Sequence, residues 1–157
     1  MRFTVIKDLK SDSAMRPILS GLLLFILLYL IADFFVKNSS IGLFSDALTL
    51  SLLGNADEFL DPISEAYFLE LLHAETFFLM MILLTLSTVY IRLYSKAKLS
   101  LLLLNITMAT AITSLIALGL SFYLSISFIN VYVISFFIWH TGAIVMSLLS
   151  YWRLYFD

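Results

Sequence analysis

Four residues able to carry charge or protons fall within or at the edge of apolar stretches of this chain: Asp33, His73, Glu75 and His140. Glu70 lies one helical turn before His73, and Asn105 is a polar, uncharged companion. Ionisable groups in such surroundings are costly to keep, which makes them functional candidates by default. Three chemistries suit these residue types. His73 and His140, on different apolar runs, are the pair that a bis-histidine b-type haem needs, and Gly142 and Ala143 leave room for a flat macrocycle. A carboxylate beside a histidine can accept or pass a proton, so Asp33 and His73, with Glu70 and Glu75, form a candidate proton-handling or quinone site. Tyr29, one turn below Asp33, adds a phenol. Asp33, Glu70 and His73, drawing on Glu75, are also donors suited to a divalent metal, although no HExxH or paired ExxH spacing is present. No residue is singled out as catalytic.

A structural reading stands beside all three. Buried histidines in membrane bundles also serve as hydrogen-bonding glue, each bond contributing about 0.6–2 kcal/mol. His140 has Thr110 and Thr113 within its expected reach for that purpose. On this reading the chain is a non-catalytic accessory or scaffold subunit that docks on other membrane proteins or on copies of itself. Met80, Met81, Met108 and Met146 form no MxxM-type run and are expected to be packing, not copper ligands.

The elements that must position these residues are membrane helices. Pro17–Val36, Leu71–Ile91, Leu99–Leu124 and Phe128–Trp152 are apolar runs, each near the ~20 residues needed to cross a hydrocarbon core about 30 Å thick. The 157 residues are 62% hydrophobic and 13% charged, with a mean hydropathy of +1.03. Too little polar surface exists to cover a water-soluble fold. The expected architecture is all-α: one integral membrane domain over 1–157, a four-helix up-down transmembrane bundle. Its spans are expected at about 16–37, 62–93, 99–125 and 128–153. The connection at 38–61 should hold a short amphipathic helix, since Ile41, Phe44, Ala47/Leu48 and Leu52 recur at helical spacing before a Gly54–Asn55 stop. Asp61–Pro62 has the pattern of an N-cap and first helical residue. Beyond the lipid bilayer, the expected partners are membrane proteins or further copies of the chain.

Charge sets the orientation. Arg2, Lys7, Lys10 and Arg16, then Arg92, Lys96 and Lys98, then Arg153 fall on one side; the connection at 38–61 is acidic. The positive-inside rule puts both termini in the cytoplasm, as expected for a bacterial inner-membrane protein. Tyr90, Tyr94, Tyr151, Trp152 and Tyr155 fit an interfacial belt there.

Counting the 1.5 Å rise from these anchors puts Asp33 about 26 Å and His73 about 29 Å above the cytoplasmic boundary, but His140 only about 20 Å. The outer polar layer is thus expected to be Asp33, His73, Glu70 and Glu75, with His140 deeper. The faces follow from the 100° helical step. His73, Thr76, Met80 and Ser87 share one face; Glu75 lies about 200° from His73 and must meet a different neighbour or reach the outer surface. Thr110, Ser114, Ala117 and Ser121 on one run, and His140, Ala143, Ser147 and Ser150 on the next, are small-residue stripes expected to pack together, the first against Ala143 and Ser147.

Several classes are excluded. With no cysteine there is no disulfide, thiolate site, iron–sulfur cluster or covalently attached haem. Five scattered glycines make no phosphate loop, so no nucleotide is expected, and no basic cluster suits nucleic acid. The stretch Leu72–His73–Ala74–Glu75 before an apolar run resembles a haem-bearing cytochrome b helix in its single histidine, and no residue role is carried over from that.

Overall fold

The computed structural model describes residues 14–56, 59–94 and 98–156. Among these described residues are five α-helices: α1 Met15–Ser40, α2 Ser45–Leu53, α3 Glu65–Tyr94, α4 Lys98–Tyr123 and α5 Ile129–Tyr155, the last preceded by a 3-10 turn. Among the described residues the only extended pairing is an isolated bridge, Asn55 to Leu60. Four of the helices, all but α2, are long and apolar enough to cross a membrane. The all-α four-span architecture expected from the sequence is therefore the one observed. Arg2, Lys7, Lys10, Asp57, Glu58 and Lys96, which enter the charge argument, lie outside the described residues.

The helix ends follow from local chemistry. At the end of α1, the amides of Ile41 and Gly42 both donate to the Lys37 carbonyl, and Gly42 adopts φ 85°. A Cβ there would collide with Ala47, so glycine is required for the chain to turn into α2. Gly54, at φ 71°, caps α2. The chain then closes on itself, and the Ile63 amide donates to the Ser51 carbonyl. This return keeps Pro62 out of the helix. Instead of starting at Asp61–Pro62, α3 starts at Glu65, with the Ser64 hydroxyl accepting from the Tyr67 amide.

α5 is the centre of the bundle. Twelve of its residues are buried, against five in α1, and it packs against each of the other four helices. Its buried stripe includes Tyr132, Ser135, Phe136, Trp139, His140, Ala143, Met146, Ser147 and Ser150. α4 lies closest to it. A Cβ on Gly142 would overlap the Thr107 side chain, so the two backbones approach at that point because the residue is glycine. This meeting point sets the register. Antiparallel helices of equal rise pair Ser114 with Ser135 if Thr107 pairs with Gly142. Ser114, Ala117 and Ser121 are buried as expected, but they pack toward Ser135 and Tyr132 and not toward Ala143 and Ser147. The Ser147 hydroxyl instead donates to the Leu23 carbonyl of α1, at 3.3 Å.

In α3 the buried stripe is Phe68, Glu75, Leu79, Leu83, Leu86, Val89, Tyr90 and Leu93. The face carrying His73, Thr76 and Met80, expected to point inward, is exposed. The reason is visible in the hydroxyls. Thr76, Thr85 and Thr88 donate to the carbonyls of Leu72, Met81 and Leu84 on their own helix. A threonine that satisfies itself in this way can face lipid without leaving a polar group unpaired. Tyr90 is also interior, not part of a belt, and stacks on Tyr94 at 5.0 Å.

Candidate functional site

The last two turns of α1 carry Asp33 and Lys37 one turn apart, so their side chains leave the helix in the same direction. Lys37 is 7% exposed. Its Nζ lies 2.5 Å from Glu75 Oε1 of α3 and 3.5 Å from Asp33 Oδ2. The ammonium also sits over the Phe136 ring of α5, 4.4 Å from its centroid, an attraction worth up to about 2 kcal/mol when desolvated. On the other side of Asp33, the same Oδ2 lies 3.9 Å from His140 Nδ1. The His140 ring packs against Phe136, Trp139 and Phe34, with centroids 5.1, 5.2 and 6.2 Å away. Three helices thus join two carboxylates, one ammonium and one imidazole inside an aromatic cage.

Not every polar atom in this region is satisfied. Glu75 Oε2, Asp33 Oδ2, His140 Nδ1, Trp139 Nε1 and the Tyr132 hydroxyl are buried without a hydrogen-bond partner among the described residues. Beside them is a small cavity of about 10 Å³, bounded by Tyr29, Asp33, Lys37, Glu75 and Trp139. That is close to the volume one water requires, and its walls offer the polar partners a water needs. A larger cleft of about 400 Å³ opens between α1 and α3. Tyr29 and Phe78 stand toward the middle of the bundle, Asp33, Lys37 and Glu75 contribute polar groups, and Tyr67 and Glu70 lie toward the α2 end. Its volume is at the lower end of the range for small-molecule sites.

Of the residues that the sequence singles out, Asp33, Glu75 and His140 come together; His73 does not join them. It is exposed on the outer side of α3, as the 200° offset from Glu75 demands once Glu75 is inside. The Asp33–His73 pairing is therefore replaced by Asp33 with Lys37 and His140. The structure does not bring His73 and His140 to one interior point, and Gly142 lies against the Thr107 side chain of α4. Asp33, Glu70 and His73 do not assemble as a metal triad. Among the described residues no group of three such ligands is placed to hold a metal ion. Glu70 is exposed on the rim of the cleft, and Asn105 is exposed on α4.

His140 is level with Asp33 instead of several ångströms deeper. A depth count anchored at Arg153 fails because that residue is half-buried, with its guanidinium stacked over Tyr94 at 5.1 Å. A long cationic side chain that finds such a partner does not mark the boundary. Lys37 is the member of this cluster that sequence reasoning misses. It stands just past the first apolar run, yet its spacing of four from Asp33 and the unassigned partner of Glu75 are the signals that could have found it.

Residues 42–157 match a family described as Aq_1264_TM, a transmembrane helical domain. The matched stretch includes Glu75 and His140; Asp33 and Lys37 stand before it on α1. No curated protein matches the chain, and no solved structure does.

Proposed function

We propose, for a chain that belongs to the Aq_1264_TM family of transmembrane helical domains, a small multi-pass membrane protein that holds and exchanges a proton at the Asp33–Lys37–Glu75–His140 cluster. The observation that carries this reading is the charge inventory of the cluster. With both carboxylates ionised, Lys37 balances one, and the other is balanced only when His140 or a carboxyl takes up a proton. A net charge in apolar surroundings is strongly disfavoured, so the cluster has a standing demand for one proton shared among its members. The cleft between α1 and α3 gives that proton a route toward the α2 end, and the small cavity is placed to hold a relaying water.

Orientation belongs to the same proposal. Arg16, Arg92, Lys98 and Arg153 fall at the end of the bundle away from α2. The positive-inside rule then puts both termini in the cytoplasm of a bacterial inner membrane and the cluster near the outer face.

The test follows the single interior imidazole. In a His73→Gln background, nitrogen-15 resonances of His140 report its protonation directly. Asp33→Asn and Glu75→Gln are each expected to move the His140 titration, because members of a coupled cluster titrate together. A titration that neither substitution moves would sink the proposal.

A further inference from the structure

The cleft between α1 and α3 has a composition that selects its occupant. Asp33, Glu70 and Glu75 face it with only Lys37 to oppose them, and Lys37 is already engaged by two of the three. Glu75 is 9% exposed, and its Oε2 has no hydrogen-bond partner although Oε1 is taken. Tyr29, Tyr67 and Phe78 add aromatic rings to the walls, with Tyr29 and Phe78 5.6 Å apart. Several of the wall residues, including Val36, Tyr67 and Phe78, are on the outside of the bundle, so the cleft is entered from the membrane. An excess of negative charge, ring faces and a lipid-side entrance together fit a cation that partitions into the bilayer. A phospholipid would bring its phosphate against the same carboxylates and is disfavoured.

We infer that this cleft binds a lipophilic organic cation, and that the bound charge releases the proton held by the cluster on its inner side. The inference rests on the proton-holding reading and adds what competes for the same negative charge. The titratable groups facing that charge on α1 are Tyr29, Asp33 and Lys37, and on α3 Tyr67, Glu70 and Glu75. α5 contributes Tyr132 and His140. The exchange balances: one positive charge enters the cleft and one proton leaves for water.

The experiment uses the full chain in detergent with tetraphenylphosphonium as probe and tetraphenylborate in parallel. The two ions share size and apolar surface and differ in sign. Equilibrium dialysis is expected to show saturable phosphonium binding with proton release into weakly buffered solution, and no saturable borate binding. Glu75→Gln is expected to weaken phosphonium binding by more than about tenfold, the scale of removing one opposite charge from a partly desolvated site. Ala74→Trp fills the cleft and leaves all four side chains of the ion cluster present. It is expected to remove binding while the His140 titration stays as in the parent, which also shows that the variant has folded. Equal binding of the two ions, or phosphonium binding indifferent to both substitutions, overturns the inference. So does displacement of the probe by phosphatidylethanolamine, which would assign the cleft to a resident lipid. Absence of binding with a His140 titration still coupled to Asp33 removes the cation and leaves the proton-holding reading standing. Binding without proton release overturns the exchange.

Discussion

Lys37 leaves little room for substitution. It is held by two carboxylates and an aromatic face, and removing it leaves Glu75 and Asp33 as buried negative charges. Lys37→Met is therefore expected to cost about 3–5 kcal/mol of stability, the usual penalty for breaking one side of a buried pair. The double variant Lys37→Met, Glu75→Leu is expected to recover much of that, since apolar replacement of both partners is often neutral. Denaturant unfolding in detergent of the parent, the single and the double variant makes the comparison, and a double variant no more stable than the single would refute it. At this scale the sequence is half legible. Asp33, Glu75 and His140 stand out because ionisable groups in apolar runs always do. Lys37 does not, because a lysine three residues from a helix end looks like one that reaches water. Only the tertiary position of Glu75 shows that it turns inward.

At the level of the elements, the closest approach is the seam between α4 and α5. Gly142→Ala is expected to destabilise the bundle by about 1–3 kcal/mol, the range for overpacking a tight interface, because its methyl would overlap Thr107. Thr107→Ala in the same chain removes the obstructing atoms and is expected to restore most of that stability. If the two substitutions act additively in thermal unfolding, the helices do not meet where the structure has them. The existence and lengths of the helices are readable from hydropathy alone, because a bilayer leaves the backbone few alternatives. Which face of each helix points inward is less so. In α4 and α5 the stripe of small residues marks the interior correctly, since close approach needs small side chains. In α3 the polar residues mislead, because hydroxyls bonded to their own backbone carry no information about direction. The slip in register along α4 and α5 has the same origin: stripes identify faces, and only a point of meeting such as Gly142 on Thr107 fixes the sliding.

Considered whole, the molecule presents apolar side chains around its circumference, Leu24, Phe25, Leu28, Ile31, Leu84, Ile112, Ile116 and Ile134 among them. Asp33, Lys37, Glu75 and His140 are gathered at one interior point. On the orientation proposed above, four crossings put both termini on one side, and the positive-inside rule makes that side the cytoplasm. A phosphatase reporter fused after Asp157 is expected to be inactive, and a fluorescent reporter at the same point bright. Phosphatase activity at that fusion point would invert the molecule and move the cluster to the cytoplasmic half.

The spacing of Asp33 and Lys37 has a consequence for how the protein is made. A nascent α1 reaches the bilayer before α3 and α5 exist, so neither Glu75 nor His140 is available to it. Because the acid and the base sit one turn apart on the same helix, α1 brings its own counter-ion and enters lipid as a neutral dipole instead of a bare charge. Insertion of the first helix is thereby separated from assembly of the site. The later helices complete the pair, Glu75 of α3 adding a second carboxylate to Lys37 of α1.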